Sequence, residues 1–441
     1  MIYSDFRKKD SFIVLGGKPL SGSVPVSGYK HALTLIIGAS IAVNNVFEIL
    51  NVPNISETHV IIAILQKMGA RCQFYNGALQ IDTRNIQTYV IPDLSKQIHG
   101  SVYLLPSLLY RFGRVDFSGA GGDKIGGNSS DVSRELKHIL SVLERFGAEI
   151  EVEGDRVIAT CRKFSAQELN IMDYSSNPAI NSGPYVSGAT KTAILCAAFS
   201  EGTSVIHNPV NKETSLELLS FLTKCGCQLE TSNSYFKIDG HIQSTPISVS
   251  LISDITEIVT YIACAVYLRC SLTIKNVTIV KVERALSPEL SYLNAMGVKL
   301  YWGNDWIKIE PPESVNPVDI EANHWTLNTD CHPIFALMLT TSHGVSHITD
   351  HVWINRFGYT QNLNALGASL EVKGNTVSIF PRRPNILGMC LDAMDTRAGA
   401  VTTLAALGID GYTVIQNTHH IHRGYENFAQ KLRNLGAHID D

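Results

Sequence analysis

Short apolar segments of helical length alternate with strand-like segments along the whole chain. Six of the helical segments close on one recurring phrase, in which a leucine precedes a glycine by about one turn. The copies read LQKMGARC, LERFGAEI, LTKCGCQL, LNAMGVKL, LNALGASL and LRNLGAHI. A glycine in this place takes the left-handed conformation that ends a helix, and the alternating residues after it favour a strand. The phrase therefore predicts six helix ends, at Gly69, Gly147, Gly226, Gly297, Gly367 and Gly436.

A second phrase, a turn that leads into a short strand, falls between copies of the first. Its copies are AVNNVFEILNV, RFGRVDFSGA, SEGTSVIHNPV, LRCSLTIKNV, SHGVSHITDHV and DGYTVIQNTH. Apolar segments such as TKTAILCAAF and DCHPIFALML lie between the phrases and are typical of buried helices. Each unit is predicted to be strand, helix, strand, helix, strand, over roughly 70–80 residues. Six such units fit a solenoid, or two compact domains of three units each, since single cores rarely exceed about 250–300 residues.

Two segments are candidate hinges between such domains. One is the polar stretch HIQSTPISVS near the middle of the chain, at residues 241–250, and the other is Ser27-Gly28-Tyr29-Lys30. Two domains that are joined by two strands are expected to open and close around a cleft that binds ligands.

Composition narrows the class of protein. Hydrophobic residues make up 45% of the 441 residues and charged residues 17%, as in well-packed soluble proteins. The net charge of −4 gives no sign of nucleic-acid binding. Nine cysteines without metal-ligand spacing, and a first segment without an apolar core, predict a cytoplasmic protein with reduced thiols. The sequence contains no run of 18 apolar residues, so no membrane-spanning helix is predicted. It carries no signal for an oligomeric state.

The most glycine-rich stretch is GAGGDKIGGN, at residues 119–128. Its glycine spacing matches neither a P-loop nor a dinucleotide-binding fingerprint. So many glycines are unsuited to a rigid scaffold, and the stretch is interpreted as a mobile lid with Asp123 near its centre.

Four basic residues lie where a turn leads into a helix: Lys30, Arg356, Arg397 and Arg423. Free N–H groups at helix starts attract anions, and arginine adds a planar fork that suits carboxylate or phosphate. A solvated surface role is the alternative for any one of them.

Asp330 and Asp395 also precede helices, and a helix-capping role is favoured for both. A carboxylate at a cleft is also able to act as a general base. The histidines at residues 419–422 lack the further ligands that a metal site needs, so no metal site is predicted.

Five segments together resemble the enolpyruvyl transferase family, and within it the UDP-N-acetylglucosamine 1-carboxyvinyltransferases. They are LSGSVPVSGYKHA, GGDKIGG, INRFGY, DTRAGA and HIHRGYENFAQKLRNLGAHI. The resemblance covers nearly the whole chain and implies two inside-out α/β domains, each of three repeats. The domains it implies are residues 30–245, which carry the glycine-rich loop, and residues 1–29 with 246–441, which carry the arginines.

The resemblance also implies a reaction. Such enzymes transfer the enolpyruvyl group of phosphoenolpyruvate to a sugar hydroxyl and release phosphate, at the start of peptidoglycan synthesis, without a metal or an organic cofactor. The partners it implies are phosphoenolpyruvate and a nucleotide or nucleotide-sugar acceptor, and domain closure by induced fit is expected. Addition of the hydroxyl and elimination of phosphate demand an acid, a base and a cationic cage.

Residue roles follow from the same resemblance. Lys30 is similar to a lysine that touches the phosphate-bearing substrate, Asp330 to the base, and Asp123 to the general acid, which is usually a cysteine. Arg356, Arg397 and Arg423 are similar to the clamp for the anionic groups. The other residues expected to bind substrate are His31, His99, Asn128, Ser187, Gly188 and Trp353.

Departures from the family pattern concentrate where the acceptor is expected. Asn128 follows the loop where an arginine is usual, and His31 and His99 stand where asparagine and arginine are usual. No lysine precedes Ser187-Gly188. Two acceptors therefore remain open: UDP-N-acetylglucosamine, or a different nucleotide or sugar in a specialised nucleoside-antibiotic pathway.

Aspartate at position 123 predicts resistance to fosfomycin, an epoxide that alkylates the cysteine found there in the family. A carboxyl group that keeps its proton in a dry loop is a poor nucleophile, whereas a thiolate is a strong one. Preincubation with the compound should leave the activity of the natural chain constant over time. The Asp123→Cys variant is the matched control and should lose activity progressively. Time-dependent inactivation of the natural chain would refute this assignment.

Overall fold

All six predicted helix ends are present in the computed structural model, which describes residues 10–122, 132–353 and 355–441. The six glycines have positive φ angles between 88° and 109°. In each copy, the residue after the glycine donates its backbone N–H to the carbonyl of the leucine that opens the phrase, as Ala70 does to Leu65. This is the Schellman arrangement, which satisfies carbonyls that a helix end leaves open. The six leucines are buried, so each phrase fixes a helix end and anchors it in a core.

Twenty-four strands are described. They are β1 (Ser11–Leu15), β2 (Gly22–Pro25), β3 (Val46–Leu50), β4 (Arg71–Tyr75), β5 (Ala78–Asp82), β6 (Val90–Ile91), β7 (Arg114–Phe117), β8 (Glu149–Glu153), β9 (Arg156–Thr160), β10 (Glu168–Asn170), β11 (Gly202–His207), β12 (Gln228–Thr231), β13 (Tyr235–Gly240), β14 (Ile247–Ser250), β15 (Leu272–Lys275), β16 (Lys299–Trp302), β17 (Trp306–Glu310), β18 (Ile320–Ala322), β19 (Ser346–Asp350), β20 (Ser369–Lys373), β21 (Thr376–Phe380), β22 (Cys390–Asp392), β23 (Tyr412–Gln416) and β24 (His438–Asp440).

Fourteen α-helices are described, and several are preceded by short 3-10 turns. The helices are α1 (Lys30–Val43), α2 (Ser56–Lys67), α3 (Leu105–Phe112), α4 (Val132–Arg145), α5 (Val186–Phe199), α6 (Glu213–Lys224), α7 (Ile255–Leu268), α8 (Ile279–Ala285), α9 (Ser287–Ala295), α10 (His332–Leu339), α11 (Tyr359–Ala365), α12 (Thr396–Leu407), α13 (His419–His422) and α14 (Phe428–Asn434).

The described strands form six four-stranded sheets with one shared topology. In each sheet, an edge strand pairs in parallel with the next strand, as β18 does with β19. That strand pairs antiparallel with a third strand, which pairs antiparallel with the fourth, as β19 does with β21 and β21 with β20. The predicted α/β repeats are thus confirmed, with one difference. In five of the six described sheets, two strands follow the second helix of the unit, where the sequence pattern predicted one. In the sixth, β24 alone follows the last helix and β1 supplies the remaining strand.

The core of the repeats is helical. The central helices α1, α5, α7, α10 and α12 are buried almost throughout. The strands alternate between buried and exposed residues, as in β21. Each sheet therefore covers buried helices with one face and meets solvent with the other, which is the inside-out arrangement that the sequence predicts.

The chain divides into two units of three sheets each. The described part of one, the N-terminal unit, comprises residues 28–122 and 132–252; that of the other, the C-terminal unit, comprises residues 10–27 and 253–441 except 354. The predicted boundaries lie at 29/30 and 245/246, close to these. The second boundary falls later because β14 pairs in parallel with β3, so residues 247–250 belong to a sheet of the N-terminal unit and are not a linker. No described helix is long and apolar enough to cross a membrane.

Substitution of the phrase glycines should cost stability by an amount that depends on the space around each one. An alanine at Gly147 has no atom within 3.7 Å of its Cβ apart from the chain neighbours, so only the positive φ opposes it. At Gly69 the same Cβ would lie 2.5 Å from the backbone oxygen of Asn85. Gly147→Ala should destabilise by about 1–2 kcal/mol, and Gly69→Ala by more. Both substitutions lie in the N-terminal unit, and urea unfolding measures which variant loses more free energy of unfolding. Equal losses would contradict the steric argument.

Candidate active site

Asp330 lies in a 3-10 turn (Thr329–Cys331) that leads into α10. The prediction that it caps this helix is wrong, because α10 begins after Cys331 without a side-chain cap. Asn328 caps the preceding 3-10 turn, where its Oδ1 accepts the backbone N–H of Asp330 at 3.1 Å. The carboxylate of Asp330 is thereby left to interact with Arg356, later in the same repeat, and with Arg397 in the next.

Two buried arginines bind this carboxylate. Nη1 of Arg356 lies 2.7 Å from Oδ1 of Asp330, and Nη2 of Arg397 lies 3.7 Å from Oδ2. The arginine side chains are only 5% and 3% exposed, whereas Asp330 is 22% exposed. Two guanidinium groups thus share one carboxylate, and we call these three residues the arginine cluster.

Arg397 is held by its own helix and by an aromatic ring. It stands in the first turn of α12, which Asp395 caps as predicted by accepting the N–H groups of Arg397 and Ala398. Its guanidinium carbon lies 5.0 Å from the ring centroid of Tyr425, whose hydroxyl is 2.8 Å from that of Thr260. Nη1 of Arg397 is buried and has no hydrogen-bond partner among the described residues. A buried unsatisfied donor is costly, which points to a ligand that supplies the acceptor.

Both arginines stay charged. Burial alone would lower the pKa of Arg356, but the carboxylates of Asp330, Asp395 and Asp350 outweigh it and raise that pKa. For Arg397, burial is outweighed in the same way by Tyr425, Asp330 and Asp254, and the pKa is raised well above its usual value. Asp254 and Asp395 themselves accept N–H groups at the starts of α7 and α12. The cluster therefore offers permanent positive charge and an open donor, which suit a small anion.

The remaining predicted residues of the C-terminal unit lie on neighbouring segments. Trp353 is half-buried, and its backbone N–H donates to Asp350 at 3.0 Å. Arg423 follows α13 in the turn before α14, two residues ahead of Tyr425. The structure thus brings Arg356 and Arg397 together on Asp330, whereas Arg423 is related to Arg397 only by preceding Tyr425 by two residues in the chain.

The N-terminal unit carries a second group of basic residues. Lys30 opens α1, and its Nζ lies 3.2 Å from Oε2 of Glu57 in α2. His31 follows it and packs edge-on against Tyr29, with ring centroids 5.2 Å apart. His99 opens a 3-10 turn that packs on α1, where Gly100 meets Thr34 so closely that a Cβ would lie 2.5 Å from its methyl group.

His99 is neutral near pH 7. Surrounding protein atoms, together with the ammonium groups of Lys191 and Lys30 and the ring of His31, lower its pKa to about 4. Because His99 is exposed to solvent, the positive charges of Lys191 and Lys30 lower its pKa more than burial does, and Glu57 opposes the shift. A neutral imidazole at this position offers one donor and no charge to an anion.

Ser187 and Gly188 lie in the first turn of α5. A Cβ at Gly188 would lie 2.3 Å from Nε2 of His138, so packing against α4 explains this glycine. Its predicted role in substrate binding stays a prediction. Asp123 and Asn128, and with them the predicted lid, lie outside the described residues. The loop before them is anchored, since the backbone N–H of Gly121 bonds to the carbonyls of Ser95 and Ile98.

Sequence reasoning missed four residues that shape these two groups. Tyr425 lies within the segment HIHRGYENF, but nothing local shows that its ring faces Arg397. Glu57 looks like an ordinary charge in the first turn of α2, and Lys191 is the one charged residue in the apolar segment of α5. From the sequence, Asp350 looks like an ordinary polar residue at the end of a strand. Among the described residues no three His, Cys, Asp or Glu side chains are grouped to hold a metal ion.

The sequence matches one family over almost its full length. The profile of EPSP synthase (3-phosphoshikimate 1-carboxyvinyltransferase) matches residues 14–432. The chain belongs to the EPSP synthase family of enolpyruvyl transferases. The family resemblance expected from the sequence is thereby confirmed, and with it the assignment of the chain to a family of transferases.

Individual relatives agree with the family. The chain is 30% identical to the UDP-N-acetylglucosamine 1-carboxyvinyltransferase of Chloroherpeton thalassium over 98% of this chain and 96% of that one. The enzyme of the same name from the Wolbachia of Brugia malayi is 29% identical over 96% and 97%. Among solved structures, the enolpyruvyl transferase NikO from Streptomyces tendae is 32% identical, covers 98% of both chains and has a TM-score of 0.91. EPSP synthase from Acinetobacter baumannii, at 14% identity over 98% of this chain and 100% of that one, has a TM-score of 0.70 and shares the fold.

The arginine cluster should bind an inorganic anion in the absence of any other substrate. Phosphate at about ten times its Kd should stabilise the protein by about 1.4 kcal/mol, measured as a rise in Tm at low ionic strength. Arg397→Leu should abolish that rise because it removes the open donor. Arg382→Ala removes an equal charge from an exposed arginine and is the matched control, which should respond as the natural chain does. If phosphate still raises the Tm of Arg397→Leu, the anion binds outside the arginine cluster.

Proposed function

We propose that the protein transfers the enolpyruvyl group of phosphoenolpyruvate to a hydroxyl of UDP-N-acetylglucosamine and releases phosphate. The observation that carries the proposal is the arginine cluster, with its excess positive charge and the open Nη1 of Arg397. Phosphoenolpyruvate is small and carries both a carboxylate and a phosphate, which are the groups that planar guanidinium donors bind best. The names of the curated relatives support this donor and this acceptor.

The chemistry assigns distinct tasks to the two carboxyl groups. The general acid donates a proton to C3 of phosphoenolpyruvate, so that C2 gains oxocarbenium character. The acceptor hydroxyl attacks C2 and gives up its proton to a base. The resulting tetrahedral adduct then loses phosphate from C2, which leaves with the proton that the base took from the hydroxyl. Return of a proton from C3 to the acid restores the double bond and the acid.

Asp330 is the proposed base. Ion pairs with Arg356 and Arg397 favour its ionised form, and 22% exposure leaves part of the carboxylate open to a substrate. The arginines hold the carboxylate in place, and their charge also stabilises the anionic adduct. Asp123 as the acid and Lys30 as a phosphate contact rest on the family resemblance and stay predictions.

A different acceptor is the second candidate, and His99 is the observation that favours it. The family resemblance places an arginine there, and the neutral imidazole removes that charge from the N-terminal unit. Lys30 is already paired with Glu57 at 3.2 Å. Both features reduce the positive charge that is available to bind a diphosphate. A nucleotide or sugar derivative with less negative charge therefore suits the N-terminal unit as well as UDP-N-acetylglucosamine does. Such an acceptor belongs to specialised metabolism and not to peptidoglycan synthesis.

Phosphate release from phosphoenolpyruvate in a panel of acceptors tests the proposal. Release with UDP-N-acetylglucosamine supports the first acceptor, and release only with nucleoside monophosphates or simple sugars supports the second. No release with any acceptor would overturn the assignment of this reaction.

Asp330→Asn is the matched variant in that assay. It keeps the size and one hydrogen-bond acceptor of the side chain but removes the base, so kcat should fall about 10²–10⁴-fold. Binding of phosphoenolpyruvate should persist because both arginines remain. A turnover close to that of the natural chain would remove Asp330 from the mechanism.

A further inference from the structure

Next to the arginine cluster lies a second polar group, made of the buried residues His332, Asp350 and Tyr359 and the half-buried Thr329. His332 and Asp350 have 0% side-chain exposure. Oδ1 of Asp350 accepts the backbone N–H groups of Val352 and Trp353 at 2.8 and 3.0 Å. Oδ2 accepts a short hydrogen bond from the hydroxyl of Thr329 and faces Nδ1 of His332 at 3.4 Å. Four donors therefore surround one buried carboxylate.

The hydrogen bonds of this group have a defined direction. Burial, with a contribution from Arg356, lowers the pKa of His332 below its usual value, although Asp350 opposes the shift. Burial would raise the pKa of Asp350, but hydrogen bonds from His332, Thr329 and the backbone of Trp353 outweigh it and lower that pKa. A neutral imidazole beside a carboxylate carries its proton on the nitrogen that faces the carboxylate. Nδ1–H of His332 thus donates to Asp350. Nε2 accepts a hydrogen bond from the hydroxyl group of Tyr359, whose oxygen lies 2.8 Å away.

Thr329 links this buried group to the arginine cluster. Since its hydroxyl proton is given to Asp350, its oxygen is open as an acceptor, and Nη1 of Arg356 approaches it at 3.4 Å. The same Nη1 binds Asp330 at 2.7 Å. Thr329 and Asp330 are also adjacent in one 3-10 turn. A change in the position of Thr329 therefore moves the carboxylate of Asp330 and its arginine partner together.

We propose that His332 and Asp350 are positioning residues that hold Thr329, and through it the Asp330–Arg356 pair, in the geometry needed for turnover. This inference rests on the proposed function of Asp330 as the base. The rings of Phe357 and Tyr359 meet the imidazole of His332 edge-on, with centroids 5.0 and 5.3 Å away, and fix its plane. Both rings follow Arg356 within three residues, so the segment that carries the arginine also supports the histidine.

The test compares two substitutions of His332 in the turnover assay. His332→Gln keeps an N–H donor for Asp350 and an acceptor for Tyr359, so kcat should stay within about threefold. His332→Leu has a similar volume but leaves Asp350 and Tyr359 without this partner, and kcat should fall about 10–100-fold. The KM for phosphoenolpyruvate should rise by less than kcat falls, because Arg397 is held independently by Tyr425.

Coupling to Asp330 separates positioning from a general loss of structure. In an Asp330→Asn background the base is gone, so His332→Leu should change the remaining rate less than about threefold. An equal loss in both backgrounds, or no loss in either, would overturn the positioning role. If Asp330→Asn alone has no effect, the role of Asp330 as the base fails instead, and if no acceptor gives phosphate release, the proposed function fails. These failures are distinguishable from failure of the positioning role.

Tyr359→Phe provides a second variant should His332→Leu fail to fold. It keeps the ring and removes only the hydroxyl that donates to Nε2 of His332, so the preferred tautomer is less strongly held. We expect a three- to tenfold fall in kcat, on the order of one lost hydrogen bond, and no fall in the Asp330→Asn background. A rate equal to that of the natural chain would contradict the directed chain of hydrogen bonds.

Discussion

The sharing of one carboxylate by two buried guanidinium groups is the constraint on which the site depends. Charge buried at Arg356 and Arg397 is tolerated only because Asp330 and nearby capping carboxylates offset it. One carboxylate does not satisfy two guanidinium groups, and Nη1 of Arg397 remains open. The C-terminal unit is thus built to complete its own hydrogen bonding with an anion, which is the property that a phosphoenolpyruvate enzyme requires.

The repeated fold explains how these residues meet. Asp330 precedes α10, Arg356 precedes α11 and Arg397 begins α12, so each stands at the start of a helix. The N–H groups at the start of α12 are already bound by Asp395, so the guanidinium group of Arg397 and not the helix start attracts an anion there. All three residues belong to the last two repeats of the chain, whose sheets share one topology. The buried group around Asp350 then fixes the turn that carries Asp330.

Features set by local backbone chemistry could be predicted from the sequence. The six phrase glycines were predicted correctly because a few adjacent residues determine both the positive φ of the glycine and the burial of the leucine. Asp395 as a helix cap was predicted for the same reason. The strand after each second helix was undercounted, because a hairpin and a single strand leave similar alternating patterns. Residues 247–250 look like a polar linker, and only their pairing with β3 makes them an edge strand.

Contacts between residues that are far apart in the sequence could not be predicted in this way. Asp330 has the local signature of a cap, and its true partners lie 26 and 67 residues later in the chain. Nothing in the sequence distinguishes His332 and Asp350 from the other histidines and aspartates. Their contact and their burial result from the tertiary fold. The family resemblance supplied the roles of the arginines, whereas the neutral state of His99 came only from its neighbours in space.

A crystal structure of the complex with phosphoenolpyruvate tests the central claim most directly. The account predicts an anionic oxygen of the donor at about 3 Å from Nη1 of Arg397, with Arg356 in contact with the same molecule. A donor bound elsewhere, with Nη1 of Arg397 still lacking an acceptor, would contradict it.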